Sequence, residues 1–198
     1  MRHNLLLSGH AFRLRPVGEQ DADFIVELRR RGGRFLNQGA NSIAEQLDWL
    51  AEYFERGGDF YFIVESISDR RREGLLGLYD CDPGNRSAEW GRWVLEPDSN
   101  AAVESALLIY NCAFEALGLE RVRCRTVAEN RRVIAFHGSC GLARDAELAT
   151  IEHNNEMLPA VVHTLSRADW PSVKARLDGL ARRFAERRVA RPKALTRR

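Results

Sequence analysis

The chain has few cysteines, and their spacing excludes the common metal-binding motifs. None of the four (Cys81, Cys112, Cys124 and Cys140) forms a Cys-x-x-Cys pair or lies at zinc-finger spacing from a histidine. We therefore interpret them as buried, reduced thiols, and we expect no metal site. No apolar run is long enough to cross a membrane, and the leucines at 5–7 are too few for a signal-peptide core. These absences predict a cytoplasmic protein with no membrane partner.

The chain also lacks a strong excess of either charge. It has 30 lysines and arginines against 28 acidic residues, a formal net charge of +2. This balance does not indicate a polyanionic partner, so nucleic acid is not expected to be its main ligand. A composition of 44% hydrophobic and 29% charged residues is typical of a globular protein.

Hydrophobic periodicity predicts strands and helices in a particular order. A strand at 11–17 and two helices precede three antiparallel strands, and a helix, a strand, a short helix and two last strands follow. The predicted strands after the first are 59–68, 73–83, 85–95 and 121–129, with two more within 142–170. The predicted helices are 19–31, 42–58, 101–118 and 130–141, and a basic amphipathic helix follows Pro171. This order predicts an α+β fold, with one domain at 1–170 and a basic C-terminal helix and tail at 171–198.

Several segments in this order resemble one superfamily. They are "NRSAEWGRWV" (85–94), "AFEALGLERV" (113–122), "ENRRVIAFHGSCGL" (129–142) and "SRADW" (166–170). Over residues 11 to about 170 the chain resembles the GNAT superfamily of acyl-CoA-dependent N-acyltransferases. It is most similar to the branch that acetylates protein N-termini and small amines, including amino sugars of the pseudaminic acid pathway. The resemblance implies a mixed sheet of six or seven strands with helices on both faces.

The resemblance also implies a cosubstrate site for acetyl-CoA. In the family, the fourth and fifth strands, here 85–95 and 121–129, are splayed, and acyl-CoA lies in the gap with its diphosphate at the start of the next helix. The cofactor-binding residues implied here are Trp93, Val94, Leu95, Asn100, Ala101, Ala102, Asn130 and Phe136.

The diphosphate loop "EPDSNAAVES" (96–105) departs from the family pattern. That pattern has Arg or Gln, two residues, Gly, one residue, and Gly or Ala, whereas this loop contains no glycine and no basic residue. Asp98 would repel a diphosphate, although Asn100 tolerates a positive φ and Ala102 allows close approach. Three alternatives stay open: an intact cofactor site, a weakened one, or a non-catalytic binding module that no longer uses CoA.

Two residues are candidates for catalysis. His137 occupies the place where the family usually has a tyrosine that acts as general acid toward the CoA sulfur, and its alternative is a surface or helix-capping histidine. Glu89 occupies a place where relatives often have a glutamate that acts as base through water. Its alternative is an acid of the strand surface paired with Arg92 or Arg125.

The acceptor is expected to be a small-molecule amine, possibly linked to a nucleotide sugar, with a protein N-terminus as second choice. Asn37, Gln38 and Asn41, in the loop between the first two helices, are the predicted substrate-binding residues, although a plain turn also explains them. The basic C-terminal helix leaves three alternatives: packing against the domain, a homodimer element, or a surface for nucleic acid or acidic lipid. Leu177, Leu180 and Phe184 favour packing.

Overall fold

Nine strands form one open sheet in the computed structural model, which describes residues 2–190. The predicted tail at 191–198 lies outside the described residues. The strands are β1 (Leu7–Ser8), β2 (Phe12–Pro16), β3 (Phe60–Ser66), β4 (Arg72–Asp82), β5 (Ser87–Leu95), β6 (Arg121–Val127), β7 (Ala143–Arg144), β8 (Ala149–His153) and β9 (Glu156–Ser166). Their order is β1-β2-β3-β4-β5-β6-β9-β7, with β8 also paired to β9. Only the pairing of β5 with β6 is parallel.

The α+β class and the mixed sheet are confirmed, with two strands beyond the six or seven expected. The additional strands, β1 and β7, are two residues long. A segment of two residues shows no alternation of apolar and polar positions, so its pattern predicts no strand.

Helices cover both faces of the sheet. They are α1 (Ala22–Arg31), α2 (Ile43–Glu55), α3 (Ala102–Asn111), α4 (Arg131–Cys140) and α5 (Trp170–Ala190). Helices α1 and α2 pack on one face, over Tyr61, Ile63 and Leu75. Helices α3, α4 and α5 contribute to the larger core on the other face, which includes Trp90 and Leu165. No helix within residues 2–190 combines the length and apolarity that crossing a membrane requires.

The helix boundaries follow local chemistry that the sequence shows. Ser42 caps α2 by accepting a hydrogen bond from the Glu45 N–H at 3.2 Å. Helix α3 continues into one π-helical turn, Cys112–Ala116, and the chain then turns at Gly118 with a φ of 65°. Helix α4 ends at Gly141, whose φ is 91°, a conformation that favours glycine.

Helix α5 packs on the main core through residues four apart. Val173, Leu177 and Ala181 are buried, whereas Phe184 is 43% exposed. The prediction of packing is thus confirmed for Leu177 and wrong for Phe184. Residue 184 follows residue 177 by nearly two turns of 3.6 residues, so Phe184 lies on the packed face of the helix and its exposure does not result from helix rotation.

Candidate active site

Strands β5 and β6 pair over three residues and then separate. Residues 87–89 lie opposite 121–123, and Glu89 is the last paired position of β5. Beyond it, Trp90–Leu95 and Cys124–Val127 pair only with their outer neighbours, β4 and β9. Their inner edges therefore carry main-chain N–H and C=O groups without a strand partner, which costs free energy unless a ligand or water pairs with them. The splay implied by the resemblance is confirmed.

A β-bulge at Arg92 reshapes β5 beside this gap. The register against β4 shifts between Gly91 and Val94, and Arg92 has a φ of 51°. Its guanidinium donates to both carboxylate oxygens of Asp59, at 2.7 and 2.9 Å. A Cβ on Gly91 would lie 2.4 Å from the hydroxyl of Tyr79, so only glycine allows this approach. The predicted strand 85–95 contains no bulge, although an isolated glycine within a strand pattern is the usual signal of one.

Glu89 lies on β5 where the gap begins, and its carboxylate accepts hydrogen bonds from residues of β4 and β6. Its side chain is 3% exposed, and Nε of Arg125 donates to its two oxygens at 3.0 and 2.8 Å. Nε of Arg123 at 3.2 Å and the Tyr79 hydroxyl at 3.3 Å donate to the same carboxylate. The alternative to a catalytic role, an ion pair within the sheet, is observed with Arg125 and not with Arg92. This carboxylate ties β5 to β6 at the point where their main-chain pairing ends.

His137 lies in the core, so neither a surface nor a helix-capping histidine describes it. Its ring packs against Trp90, Phe136 and His163, with centroid distances of 5.3, 5.6 and 5.3 Å. Nδ1 has no hydrogen-bond partner among the described residues. Burial lowers the pKa of His137 to about 4, and the nearby His163 adds to this effect. At pH 7 only about one molecule in a thousand therefore carries the imidazolium form.

The two predicted catalytic residues lie on opposite faces of the sheet. Successive side chains of a strand point to opposite faces. Glu89 shares the face of Tyr79, whereas the next residue, Trp90, packs against His137 on the face of α3 and α4. A reacting group between them would have to lie in the gap itself.

The loop before α3 folds without glycine because none of its residues needs a left-handed conformation. No residue of 96–101 has a positive φ, Asn100 included. The Ser99 N–H donates to the Glu96 carbonyl at 2.9 Å, and the Ser99 hydroxyl accepts from the Ala101 N–H at 3.2 Å. The loop is therefore an ordinary turn, held by its own serine.

The start of α3 offers main-chain donors to an anion. Ala101 is the N-cap, and its side chain makes no capping hydrogen bond. The N–H groups of Ala102, Val103 and Glu104 have no acceptor within the described part of the chain. Free amides and the helix macrodipole attract negative charge, so this end of α3 fits a diphosphate.

Asp98 does not face the gap as an isolated negative charge. Nη1 of Arg71, from the turn between β3 and β4, lies 3.5 Å from its Oδ2. Arg71 also donates to the buried Glu73 at 2.7 Å. The negative charge of Asp98 is thus paired with an arginine from a neighbouring turn, which sequence spacing alone does not reveal.

Helix α4 forms the other wall beside the splayed strands. The Asn130 side chain caps it by accepting from the Val133 N–H at 3.4 Å. Phe136 packs against Trp93, with ring centroids 4.9 Å apart. The indole N–H of Trp93 donates to the Ser105 hydroxyl at 3.2 Å, which connects β5 to α3. Trp93, Phe136 and His137 therefore form one aromatic wall on this face.

The predicted substrate-binding residues lie at the surface of the loop between α1 and α2. Asn37 accepts from Arg29 through its carbonyl, at 2.6 Å. The Gln38 N–H donates to the Asn154 side chain at 2.6 Å, and the Asn41 N–H donates to Glu45 at 2.8 Å. All three use main-chain groups here, and their side chains are exposed.

The same loop closes a cavity of about 370 Å³ against the hairpin of β8 and β9. His153 is 9% exposed in its wall, and its Nε2 lies 2.9 Å from the Arg34 carbonyl. The residues that line the cavity are Arg34, Phe35, Val127, Glu129, His153, Asn154, Glu156 and Leu158.

A sheet with one splayed parallel pair, and a helix start with free amides beside it, define the fold of CoA-dependent acyltransferases. The chain belongs to the GNAT acetyltransferase family, since the model of the Acetyltransferase (GNAT) domain matches residues 12–143.

Individual relatives agree with this family. A Bacillus subtilis protein named "Putative ribosomal N-acetyltransferase YdaF" is 25% identical over 170 residues, which cover 79% of this chain and 89% of the relative. The solved apo structure of FdhC, described as a nucleotide-linked sugar GNAT, is 28% identical, with a TM-score of 0.73. That match covers 91% of this chain and 98% of FdhC. A variant of the spermidine N-acetyltransferase SpeG from Vibrio cholerae shares the fold, with 18% identity, coverage of 81% and 96%, and a TM-score of 0.71.

Proposed function

We propose that this chain transfers the acetyl group of acetyl-CoA to a primary amine of a small acceptor, and that the acceptor is a nucleotide-linked amino sugar. The observation that carries the proposal is the gap between β5 and β6, where main-chain groups lack a strand partner. Support for the acceptor class comes from FdhC, because its similarity extends over nearly the whole of both chains.

The residues around the gap fit the donor. Main-chain groups of Trp93, Val94 and Leu95 at the inner edge of β5 are suited to pair with the amides of a pantetheine arm. The free amides at the start of α3 are suited to a diphosphate. Acetyl-CoA supplies a reactive thioester, so the protein's main task is to position the amine.

Glu89 and His137 would act from the two faces of the sheet. Glu89, held by Arg125, Arg123 and Tyr79, would accept the proton of the acceptor amine through a water molecule. His137, neutral at pH 7, would orient the sulfur as a hydrogen-bond donor rather than as an imidazolium acid. The exposed loop with Asn37, Gln38 and Asn41 would border the acceptor.

The test begins with calorimetric titration of acetyl-CoA, because absence of heat at millimolar ligand would contradict the proposal. Release of free CoA thiol is then followed with three amines: a nucleotide-linked amino sugar, spermidine, and a peptide with a free N-terminus. We expect the highest kcat/KM with the sugar nucleotide. Binding of acetyl-CoA without turnover of any amine would instead indicate a non-catalytic module.

A protein N-terminus is the second candidate acceptor. The Bacillus subtilis relative supports it, and so does the cavity between the α1–α2 loop and the β8–β9 hairpin. Two of its lining residues, Glu129 and Glu156, are acidic, which suits a cationic peptide better than a phosphate. Faster turnover of the peptide than of the sugar nucleotide would select this alternative.

A further inference from the structure

Three arginines line one face of β6. Arg121, Arg123 and Arg125 occupy alternate positions of the strand, whereas the intervening Val122 and Cys124 are buried in the main core. Because side chains alternate along a strand, the three guanidinium groups share the face of Glu89. We call Arg121, Arg123 and Arg125 the arginine stripe.

Helices leave this part of the sheet uncovered. The core beneath α1 and α2 contains residues of β3, β4 and β5 and none of β6 or β9. The side chains of Arg123 and Arg125 are 52% and 32% exposed, although both reach the buried Glu89. Arg121 is also exposed. A ligand therefore has direct access to the stripe from solvent.

The stripe has more donors than the neighbouring acids use. Arg123 and Arg125 both contact Glu89 through Nε, and their Nη nitrogens make no hydrogen bond to any residue of 2–190. Arg121 forms no ion pair within the same residues. Glu89 and the more distant Asp80 are the acids that act on Arg125. Asp145, which accepts from Thr164 opposite Arg123, is a further acid on this side of the sheet, so the stripe is distinguished by its free guanidinium forks and not by an excess of positive charge.

We propose that the arginine stripe binds the diphosphate of a nucleotide-linked acceptor, an inference that rests on the proposed transferase function. Guanidinium forks match phosphate oxygens in a bidentate way. The stripe spans about 13 Å at a strand's rise of about 3.3 Å per residue. A sugar ring at the Arg125 end would present its amine beside Glu89, where the gap begins. The diphosphate would then lie along Arg123 and Arg121.

Two cavities lie near the gap. The one beside Tyr79 and Arg92 also contains Asp59 and Asp80, and Arg92 is already paired with Asp59. The one beneath the α1–α2 loop suits this diphosphate less well than the stripe does. Its lining includes Glu129 and Glu156, and its one arginine, Arg34, lies 3.3 Å from the Glu129 carboxylate. Like charges repel a diphosphate. The observations therefore favour the stripe.

The experiment is a calorimetric titration of UDP and of dTDP into protein saturated with CoA, so that the nucleotides cannot occupy the diphosphate site of the donor. Wild type is compared with Arg121→Ala/Arg123→Ala and with the charge-preserving Arg121→Lys/Arg123→Lys. The matched control is Arg183→Ala, an exposed arginine of α5, which packs on the opposite face. Thermal unfolding of each variant verifies that the fold is retained.

We expect wild type and Arg183→Ala to bind equally, and the double alanine variant at least tenfold more weakly. The lysine variant should fall between them, because it keeps the charges and loses the forks. Two results would overturn the proposal that the stripe binds a diphosphate: equal binding by the double alanine variant, or no nucleotide binding by wild type that binds CoA. Either result would leave the proposed transferase function intact. A second titration of UDP and dTDP, into protein without CoA, tests the opposite result. In that case the stripe binds nucleotide although the protein fails to bind CoA. Single-stranded RNA bound more tightly than UDP, through the same arginines, would overturn the inference in favour of a nucleic-acid surface.

Discussion

The guanidinium of Arg71 lies 3.5 Å from the carboxylate of Asp98, although 27 positions separate them in sequence. Arg71 belongs to the turn between β3 and β4, and Asp98 to the loop that leads into α3. A diphosphate at the start of α3 would therefore meet an ion pair instead of a single negative charge.

Loss of this ion pair should weaken CoA binding. In Arg71→Ala, Asp98 would repel the diphosphate, and we expect Kd for CoA to rise about two- to fivefold, the range of an exposed ion pair. The measurement is calorimetric titration at low salt, with S-acetyl-pantetheine as the matched ligand that lacks the diphosphate. Removal of both charges, in Arg71→Ala/Asp98→Ala, should restore most of the affinity. A double variant as weak as Arg71→Ala would contradict this explanation.

Glu89 should matter for both turnover and stability. In Glu89→Gln, the new amide places an N–H₂ group among three donors. We therefore expect the free energy of unfolding, measured in urea, to be about 2 kcal/mol lower. As the proposed base, its loss should lower kcat about a hundredfold. The control is Glu120→Gln, whose carboxylate is half exposed and pairs with Arg86 at 2.8 Å. An unchanged kcat in Glu89→Gln would restrict Glu89 to a structural role.

His137 should make stability depend on pH. Its pKa is lowered to about 4 in the folded protein, against about 6.5 when unfolded, so the unfolded state binds more protons between these values. Stability is therefore lost as pH falls through this window. The contribution of His137 to the free energy of unfolding falls by about 2 kcal/mol between pH 7 and pH 5. In His137→Phe, the difference between the free energies of unfolding at pH 7 and pH 5, measured in urea, should be smaller by that amount.

The control for His137 is Phe136→Leu, which loosens the same aromatic wall without removing an ionisable group. It should destabilise the protein equally at pH 7 and pH 5. If His137→Phe keeps the full pH dependence of wild type, the buried neutral imidazole is not its source.

Asn130 should have two roles that a matched capping residue separates. Asn130→Ala removes the cap of α4 and Ser42→Ala removes that of α2, at a cost of about 1 kcal/mol each in thermal unfolding. Only Asn130 lies beside the gap, so only Asn130→Ala should also weaken CoA binding. Equal CoA affinity in both variants would leave Asn130 as a cap alone.

Local chemistry made the element order and several boundaries predictable. Ser42 and Asn130 cap their helices through acceptors that the sequence shows, and Gly118 and Gly141 follow helical patterns at positions of positive φ. The splay, by contrast, was predicted from the resemblance, because the alternation in 121–129 does not indicate where pairing with 85–95 stops. The bulge at Arg92 has a local signal in Gly91, an isolated glycine within the strand pattern.

The candidate site was predicted less completely, because its properties depend on distant residues. Glu89 was identified by its place in the strand, yet Arg125, 36 positions away, and Arg123 supply its partners. His137 was identified by its place in the motif, yet the burial that lowers its pKa comes from packing against Trp90 and His163.

The sequence by itself determined where strands and helices form and which residues end them, because caps, turns and alternation depend on neighbours in the chain. Only the tertiary structure decided the charge of His137, the partners of Glu89 and Asp98, and the common face of the arginine stripe and Glu89. Electrostatic and packing energies depend on distance in space, and the folded sheet brings together groups that are far apart in sequence.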